Sequence, residues 1–180
     1  LNIELKYELQ EGFYEIKGIG SDWGTKNYVL MITRMLEDGV TRCLVGTRSL
    51  LGEGWDAIKL NTLIDLTLVS TYVSVNQIRG RTIRSDEDNP VKVANNWDVV
   101  SIAGGFDRGF YDFERFRKKH SQFYGLSEDD VIEKGIGHVH PSLTNANMAS
   151  IIALKNDINE IMFDRSLDRF SVYKRWKVGE

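Results

Sequence analysis

Short apolar runs alternate with helix-like stretches along this chain, and that order constrains its fold more than any other feature. Ile3, Leu5, Tyr7 and Leu9 alternate with polar residues, as in a half-buried strand. Gln10-Glu11-Gly12 reads as a turn into a second strand through Phe13, Tyr14 and Ile16, ending at Gly18. Thr25 is placed to cap a helix from Lys26 to Glu37, with Val29, Ile32, Met35 and Leu36 as its apolar stripe and Gly39 as its stop. A short buried strand over Arg42–Val45 follows, then a glycine-punctuated loop to Asp56, then a strand over Leu63–Val69. Ser74–Arg84 reads as a helix. Val91–Ala103 contains a further strand, centred on Val99–Ile102. Strand–helix alternation of this kind predicts an α/β fold with a mainly parallel sheet flanked by helices.

Beyond Gly104-Gly105 the character changes. Aromatic and basic residues interleave from Phe106 to Tyr124, Ser127–Asp130 reads as a short acidic helical turn, and a long amphipathic helix is expected over Asn145–Arg165. Basic residues among aromatics can grip single-stranded nucleic acid. An amphipathic helix that buries its aromatics is the favoured reading. The expected organisation is an α/β domain over residues 1–104 and an α-helical extension over 105–180. His138 and His140, in His-Val-His-Pro, read as structural rather than metal-binding, and Trp97 and Trp176 as packing residues. Asp164, Arg165, Asp168 and Arg169 suggest i,i+4 ion pairs on a solvated helix face.

At 180 residues and a net charge of −3, the chain has no global basic field to recruit nucleic acid, so any such surface must be local. One cysteine, Cys43, cannot form an internal disulfide, which points to a reducing, cytoplasmic setting. No apolar run approaches the ~20 residues of a membrane span, and no signal peptide is visible.

Two segments carry the chemistry. In Gln77-Ile78-Arg79-Gly80-Arg81-Thr82-Ile83-Arg84, a helix would set Arg81 and Arg84 on one face, with Gln77 a turn earlier. Two guanidiniums so placed form a fork for phosphate oxygens. In Gly46-Thr47-Arg48-Ser49-Leu50-Leu51-Gly52-Glu53-Gly54-Trp55-Asp56, glycines let backbone amides approach a phosphate. Thr47 adds a hydroxyl, Arg48 a charge, and Asp56 a carboxylate able to accept ribose hydroxyls. Taken singly, the loop reads as a flexible connection and the arginines as a solvated, salt-bridged face.

Together and in this order, the two segments resemble motifs V and VI of the second RecA-like domain of superfamily 2 helicases. The run Leu50-Leu51-Gly52-Glu53-Gly54-Trp55-Asp56 with Arg79–Arg84 is similar to bacterial DEAD/DEAH-type helicases that carry C-terminal extensions. The resemblance covers about residues 13 to 103. It implies a RecA-like parallel sheet. Arg84 would be the arginine finger on the γ-phosphate of ATP, Arg81 its companion on the phosphates, and Gln77 would orient the nucleotide or couple it to the partner domain. Asp56 would meet the ribose with Gly54 allowing close approach, while Gly46 and Thr47 would hold the phosphates of a nucleic-acid strand, DNA preferred to RNA, with Arg48 assisting there. The chain has no Gly-x-x-x-x-Gly-Lys-[Ser/Thr] loop and no Asp-Glu-x-His or Asp-Glu-x-Asp box. The ligands for ATP and Mg2+ are therefore expected on an N-terminal RecA-like domain of the same protein, and this chain alone is expected to be inactive. The alternatives are a duplex translocase of a restriction or remodelling system, and a non-catalytic α/β module with a degenerate helicase fold.

Overall fold

The computed structural model describes residues 1–51 and 55–176. They form a mixed α/β structure of five α-helices and three two-stranded sheets, divided into two compact units, Leu1–Lys59 and Leu60–Glu180. The boundary expected at residue 104 lies inside the second unit, where Val100 and Ile102 pack against a core cluster whose residues all lie beyond it.

The first unit opens with an antiparallel hairpin, β1 (Glu4–Gln10) and β2 (Phe13–Ile19). Gln10 pairs with Phe13, so the connection is the two residues Glu11 and Gly12, and Gly12 takes the positive φ of 95° that closes it. Alternation puts Leu5, Tyr7, Leu9, Tyr14 and Ile16 on one face of the ribbon. Helix α1 (Thr25–Glu37) starts one residue before the expected Lys26, with Gly24 rather than Thr25 at its cap. Its stripe is half-buried at Val29, Ile32 and Leu36, with Thr33 buried beside them and Met35 exposed. Gly39, at φ 73°, ends it. The strand expected over Arg42–Val45 is absent: the segment pairs with no strand, and Val45 is 88 % exposed. Its apolar run Cys43-Leu44-Val45 signals a buried strand, and such a signal yields a strand only where a partner supplies the ladder.

In the second unit, β3 (Thr62–Asp65), α2 (Tyr72–Arg79) and β4 (Asn95–Asp98) form a βαβ unit, with β3 and β4 parallel and in register from Thr62↔Asn95 to Asp65↔Asp98. β3 stops at Asp65 rather than Val69 because the Asp65 carboxylate accepts the Thr67 amide at 2.8 Å, turning the chain. β4 ends where its partner ends, so the apolar run Val99–Ile102 leaves the ladder instead of forming it.

Helix α3 (Tyr111–His120) leads into a second hairpin, β5 (Tyr124–Leu126) and β6 (Ile132–Lys134). The acidic segment Ser127–Asp130, expected to be helical, is the hairpin's turn, with Asp130 at φ 60°. Two 3-10 turns, Ile136–His138 and Pro141–Leu143, precede α4 (Met148–Leu167). Its start is set by a capping box: Asn147 accepts the Ser150 amide and Ser150 accepts the Asn147 amide, both at 2.9 Å. A short helix α5 (Ser171–Arg175) closes the described chain. Phe113, Ile136, Leu143, Ala146, Ile151 and Ile158 form the core of this unit. Trp97 packs on Phe163, whereas Trp176 is 54 % exposed. Arg165 and Arg169 do not form the expected helix-face pairs. Arg165 donates to the Val139 carbonyl and pairs with Glu128, and Arg169 donates to the Val93 carbonyl. No helix among the described residues is long and apolar enough to cross a membrane.

One contact in the first unit tolerates no added atom. Gly18 lies flat against the Trp23 indole, and a Cβ there would fall inside the ring. Gly18→Ala is expected to destabilise this unit by about 1–3 kcal/mol, as overpacking does. Gly104→Ala, where a Cβ meets only ordinary contact with Ile152, should stay within about 0.5 kcal/mol. Thermal unfolding followed by tryptophan fluorescence compares the two.

Candidate functional site

The residues singled out by sequence fall in two groups, one in each unit. In the first unit, Gly46, Thr47 and Arg48 are all exposed. Thr47 begins a turn: its carbonyl accepts the amides of Leu50 and Leu51 at 3.1 and 3.0 Å. Its hydroxyl accepts the Leu50 amide at 3.4 Å and bonds the Ser49 hydroxyl at 3.1 Å. A hydroxyl oxygen has two lone pairs and a rotatable proton, so these local bonds leave it able to meet a further group. Gly54 lies outside the described residues. Asp56 is exposed between two buried neighbours, Trp55 and Ala57. Trp55 is anchored through its indole N–H, which donates to the Thr33 hydroxyl on α1 at 2.7 Å, and that hydroxyl donates to the Val29 carbonyl at 2.7 Å. The Ile58 amide donates to Glu37 at 3.1 Å. These bonds fix the backbone on both sides of Asp56 and turn its carboxylate outward.

In the second unit, α2 ends at Arg79, so Arg81 and Arg84 do not share a helix face as their spacing suggests. Gly80 starts a turn, in which the Arg81 amide donates to Ile78 and the Thr82 amide to Arg79. Thr82, fully buried, is the reason: its hydroxyl donates to the Asn96 side chain on β4 at 3.0 Å and sits 2.8 Å from the Arg79 carbonyl. Gln77 and Arg84 are exposed and Arg81 half-buried. Lys92 donates to the Arg84 carbonyl at 2.9 Å.

Beside this turn lies a charge cluster that the sequence reading missed. Asp65 and Asp98 end adjacent parallel strands, and the Lys119 ammonium bridges them, 2.5 Å from Asp65 and in contact with Asp98. Arg79 pairs with the other oxygen of Asp98 at 2.6 Å, and His120 Nε2 stands 3.2 Å from that oxygen and 3.1 Å from Arg79. The Arg79 guanidinium also lies over the Phe123 ring, 4.9 Å from its centroid. The side chain of Lys119 is only 6 % exposed and that of Asp65 4 %. A sequence signal did exist, in two aspartates each ending a strand-like run and a Lys-His pair ending a basic helix. The separations, Asp65 to Lys119 above all, hid their meeting.

Burial would raise the pKa of Asp98, but hydrogen bonds from His120 and Lys119 and the charge of Arg79 outweigh it and hold the carboxyl well below its ordinary 3.8. Asp65 is lowered in the same way: burial opposes, while Lys119 and the Thr67 amide win. Burial dominates at His120 and, despite Asp98, lowers its pKa. His138, whose ring lies 5.2 Å from that of His120, is lowered by burial and then by His120. The folded cluster therefore holds two carboxylates, two cations and neutral imidazoles. His140 accepts the Ser142 amide at 3.2 Å as a local cap. Cys43 is exposed.

Comparison with protein-family models, with curated proteins and with solved structures finds no match to the chain.

The histidines set a pH dependence whose sign is fixed. Both have folded pKa values below their unfolded 6.5, so below that pH the unfolded chain binds more protons. Their contribution is complete above pH 6.5 and is lost as pH falls toward the folded values. Asp65 and Asp98, lowered from 3.8, add a second loss below that pH. Urea unfolding of the second unit should show stability falling below pH 6.5 by up to about 1.4 kcal/mol per pH unit for each proton taken up. The slope between pH 6.5 and 5 should flatten in His120→Gln. An unchanged slope in that variant would mean that His120 is not the group responsible.

Proposed function

We propose that this chain is the C-terminal RecA-like half of an ATP-dependent nucleic-acid helicase or translocase, with a helical extension. The observation that carries the reading is the arginine turn. Between two parallel strands, the segment Gln77–Arg84 buries Thr82 and pairs the half-buried Arg79 against β4, while Arg84 and Gln77 reach the surface. A residue that must meet a phosphate on another domain needs this combination of fixed backbone and exposed charge. The loop Gly46–Asp56 has the same character, with an exposed hydroxyl and carboxylate on a backbone tied down at Trp55.

Arg84 supplies the arginine finger and Arg81 its companion, both acting on charge that develops as the γ-phosphoryl group leaves. A finger of this kind is typically worth ~10³–10⁵ in rate. Gln77 couples the nucleotide to the partner domain. Asp56, with Gly54 beside it in the sequence, accepts the ribose hydroxyls. Gly46, Thr47 and Arg48 grip the phosphates of one nucleic-acid strand, DNA in preference to RNA. The partner is an N-terminal RecA-like domain, which brings the ATP-binding lysine and the Mg2+ ligands. The reading also accounts for Ile64 and Leu66, apolar and exposed at β3, because a two-stranded ladder is a marginal sheet and a RecA-like sheet supplies further strands.

The chain alone should hydrolyse no ATP above background, with or without DNA. Joined to its ATPase half, Arg84→Ala should leave the melting temperature unchanged and cut ATP turnover at least ~10³-fold while DNA binding survives. Thr47→Val should weaken DNA binding by about 1.5–3 kcal/mol, one hydrogen bond to a charged group, with little dependence on base sequence. Turnover within about twofold of the parent in Arg84→Ala, under ~0.5 kcal/mol, would sink the motor reading and favour a non-catalytic module.

A further inference from the structure

The arginine turn has little structure of its own beyond two backbone turns. Outside anchors hold it, among them Thr82 on Asn96, Lys92 on the Arg84 carbonyl, and Arg79 on Asp98. The Arg79 anchor is tied to α3. Asp98 does not hold Arg79 unaided, because its other oxygen is taken by Lys119 and its Arg79-facing oxygen is shared with His120. Phe123, just beyond α3, covers the guanidinium from another side. Arg79 thus sits in a socket of which β4 supplies one part and residues 119–123 the rest. It stands two residues from Arg81 and five from Arg84.

The cluster is poorly suited to chemistry of its own. Both Asp98 oxygens are engaged, and the side chains of Asp65, Lys119 and His120 are each at most 6 % exposed. Two carboxylates balance two cations, so no net charge awaits a substrate. A balanced, closed network of this kind specifies one arrangement of the backbone it touches.

We infer that Asp98, Lys119 and His120 are positioning residues for Arg81 and Arg84: they lock Arg79, and through it set where the arginine turn presents its guanidiniums. Helix α3, in the extension beyond the α/β segment, is then a working part of ATP hydrolysis. This inference rests on the helicase reading above. Misplacing a catalytic group by about 1 Å can cost ~10²-fold in rate, and a short lever from Arg79 transmits displacements of that size.

The test uses the protein joined to its ATPase half. The double variant Arg79→Gln, Asp98→Asn removes one charge of each sign, leaves Asp65 paired with Lys119, and keeps the cluster neutral. Its kcat for ATP with saturating single-stranded DNA should fall by ~10–100-fold, while KM for ATP, DNA affinity and the melting temperature change little. Adding Arg81→Ala and Arg84→Ala to this variant should cost nothing beyond Arg81→Ala and Arg84→Ala together, because groups acting as one unit are not additive. A kcat at the parent level, or a loss that multiplies with that of the Arg81→Ala, Arg84→Ala pair, would overturn the inference and leave the cluster purely structural. If Arg84→Ala alone is fully active, the helicase reading fails first, which is a separable result. Should the double variant not fold, Arg79→Lys carries the same test: it keeps the charge but loses the planar fork, and its kcat should fall while KM holds. A parent-level kcat there would equally overturn the inference.

Discussion

The carboxylate of Asp98 is the interaction on which the second unit depends. It ends β4, opposite Asp65 at the end of β3, and takes Lys119 on one oxygen and Arg79 and His120 on the other. Three elements are thereby joined at one point: the ladder, the end of α2 and the end of α3. Two adjacent buried carboxylates would repel and lift each other's pKa. Lys119 between them removes that penalty, and Arg79 brings the cluster to zero net charge. Deleting one member would leave a buried charge uncompensated, which typically costs 3–5 kcal/mol. The arrangement is therefore less a source of stability than a constraint on which backbone geometry is allowed.

His120 completes the constraint and makes it sensitive to acid. Its Nε2 faces Asp98 and Arg79, its ring packs edge-on against Phe116 and near Phe123 and His138, and its Nδ1 is buried without a partner. In the neutral form it fits a balanced cluster. Protonated, it would add a positive charge beside Arg79 and Lys119, which explains why burial and the neighbouring cation prevail over the attraction of Asp98.

What the sequence made legible was local. The first hairpin, its glycine turn and α1 follow from alternation, a two-residue connection and a 3.6-residue stripe, and they appear nearly where those patterns place them, although β1, expected to be half-buried, is exposed along its whole length. The order β3, α2, β4 was legible as well, although β4 lies at Asn95–Asp98 rather than in the apolar run after it. Arg42–Val45 and Ser127–Asp130 misled because composition speaks of preference and not of partners: one lacks a strand to pair with, and the other is the turn of a hairpin. The arginine spacing misled for a different reason. A helix through Arg84 would satisfy the backbone locally, but Thr82 is drawn into the interior by Asn96, and that long-range bond ends the helix at Arg79. The charge cluster left only a faint signal, two strand-ending aspartates and a helix-ending Lys-His pair, and its meeting stayed hidden because the members come from four separate stretches between residues 65 and 120.

The two candidate segments nevertheless follow one physical rule. In each, the side chain proposed to meet a ligand is exposed or half-buried, and a neighbour one or two residues away is hydrogen-bonded and at least partly buried. Asp56 lies between Trp55 and Ala57, with Trp55 bonded to Thr33. Arg81 lies between Gly80 and Thr82, with Thr82 bonded to Asn96 and Arg79 to Asp98. An exposed arginine on a free loop would lose much of its value to the entropy of ordering it at each turnover. Anchoring the adjacent residue spends that entropy once, during folding, and leaves only the side-chain rotamers to be fixed by the ligand. The same economy explains why the anchors are polar. A buried apolar side chain can slide among neighbours at small cost, whereas Thr82 and Arg79 each have one geometry that satisfies them, and a shift of an ångström breaks a hydrogen bond that water cannot replace.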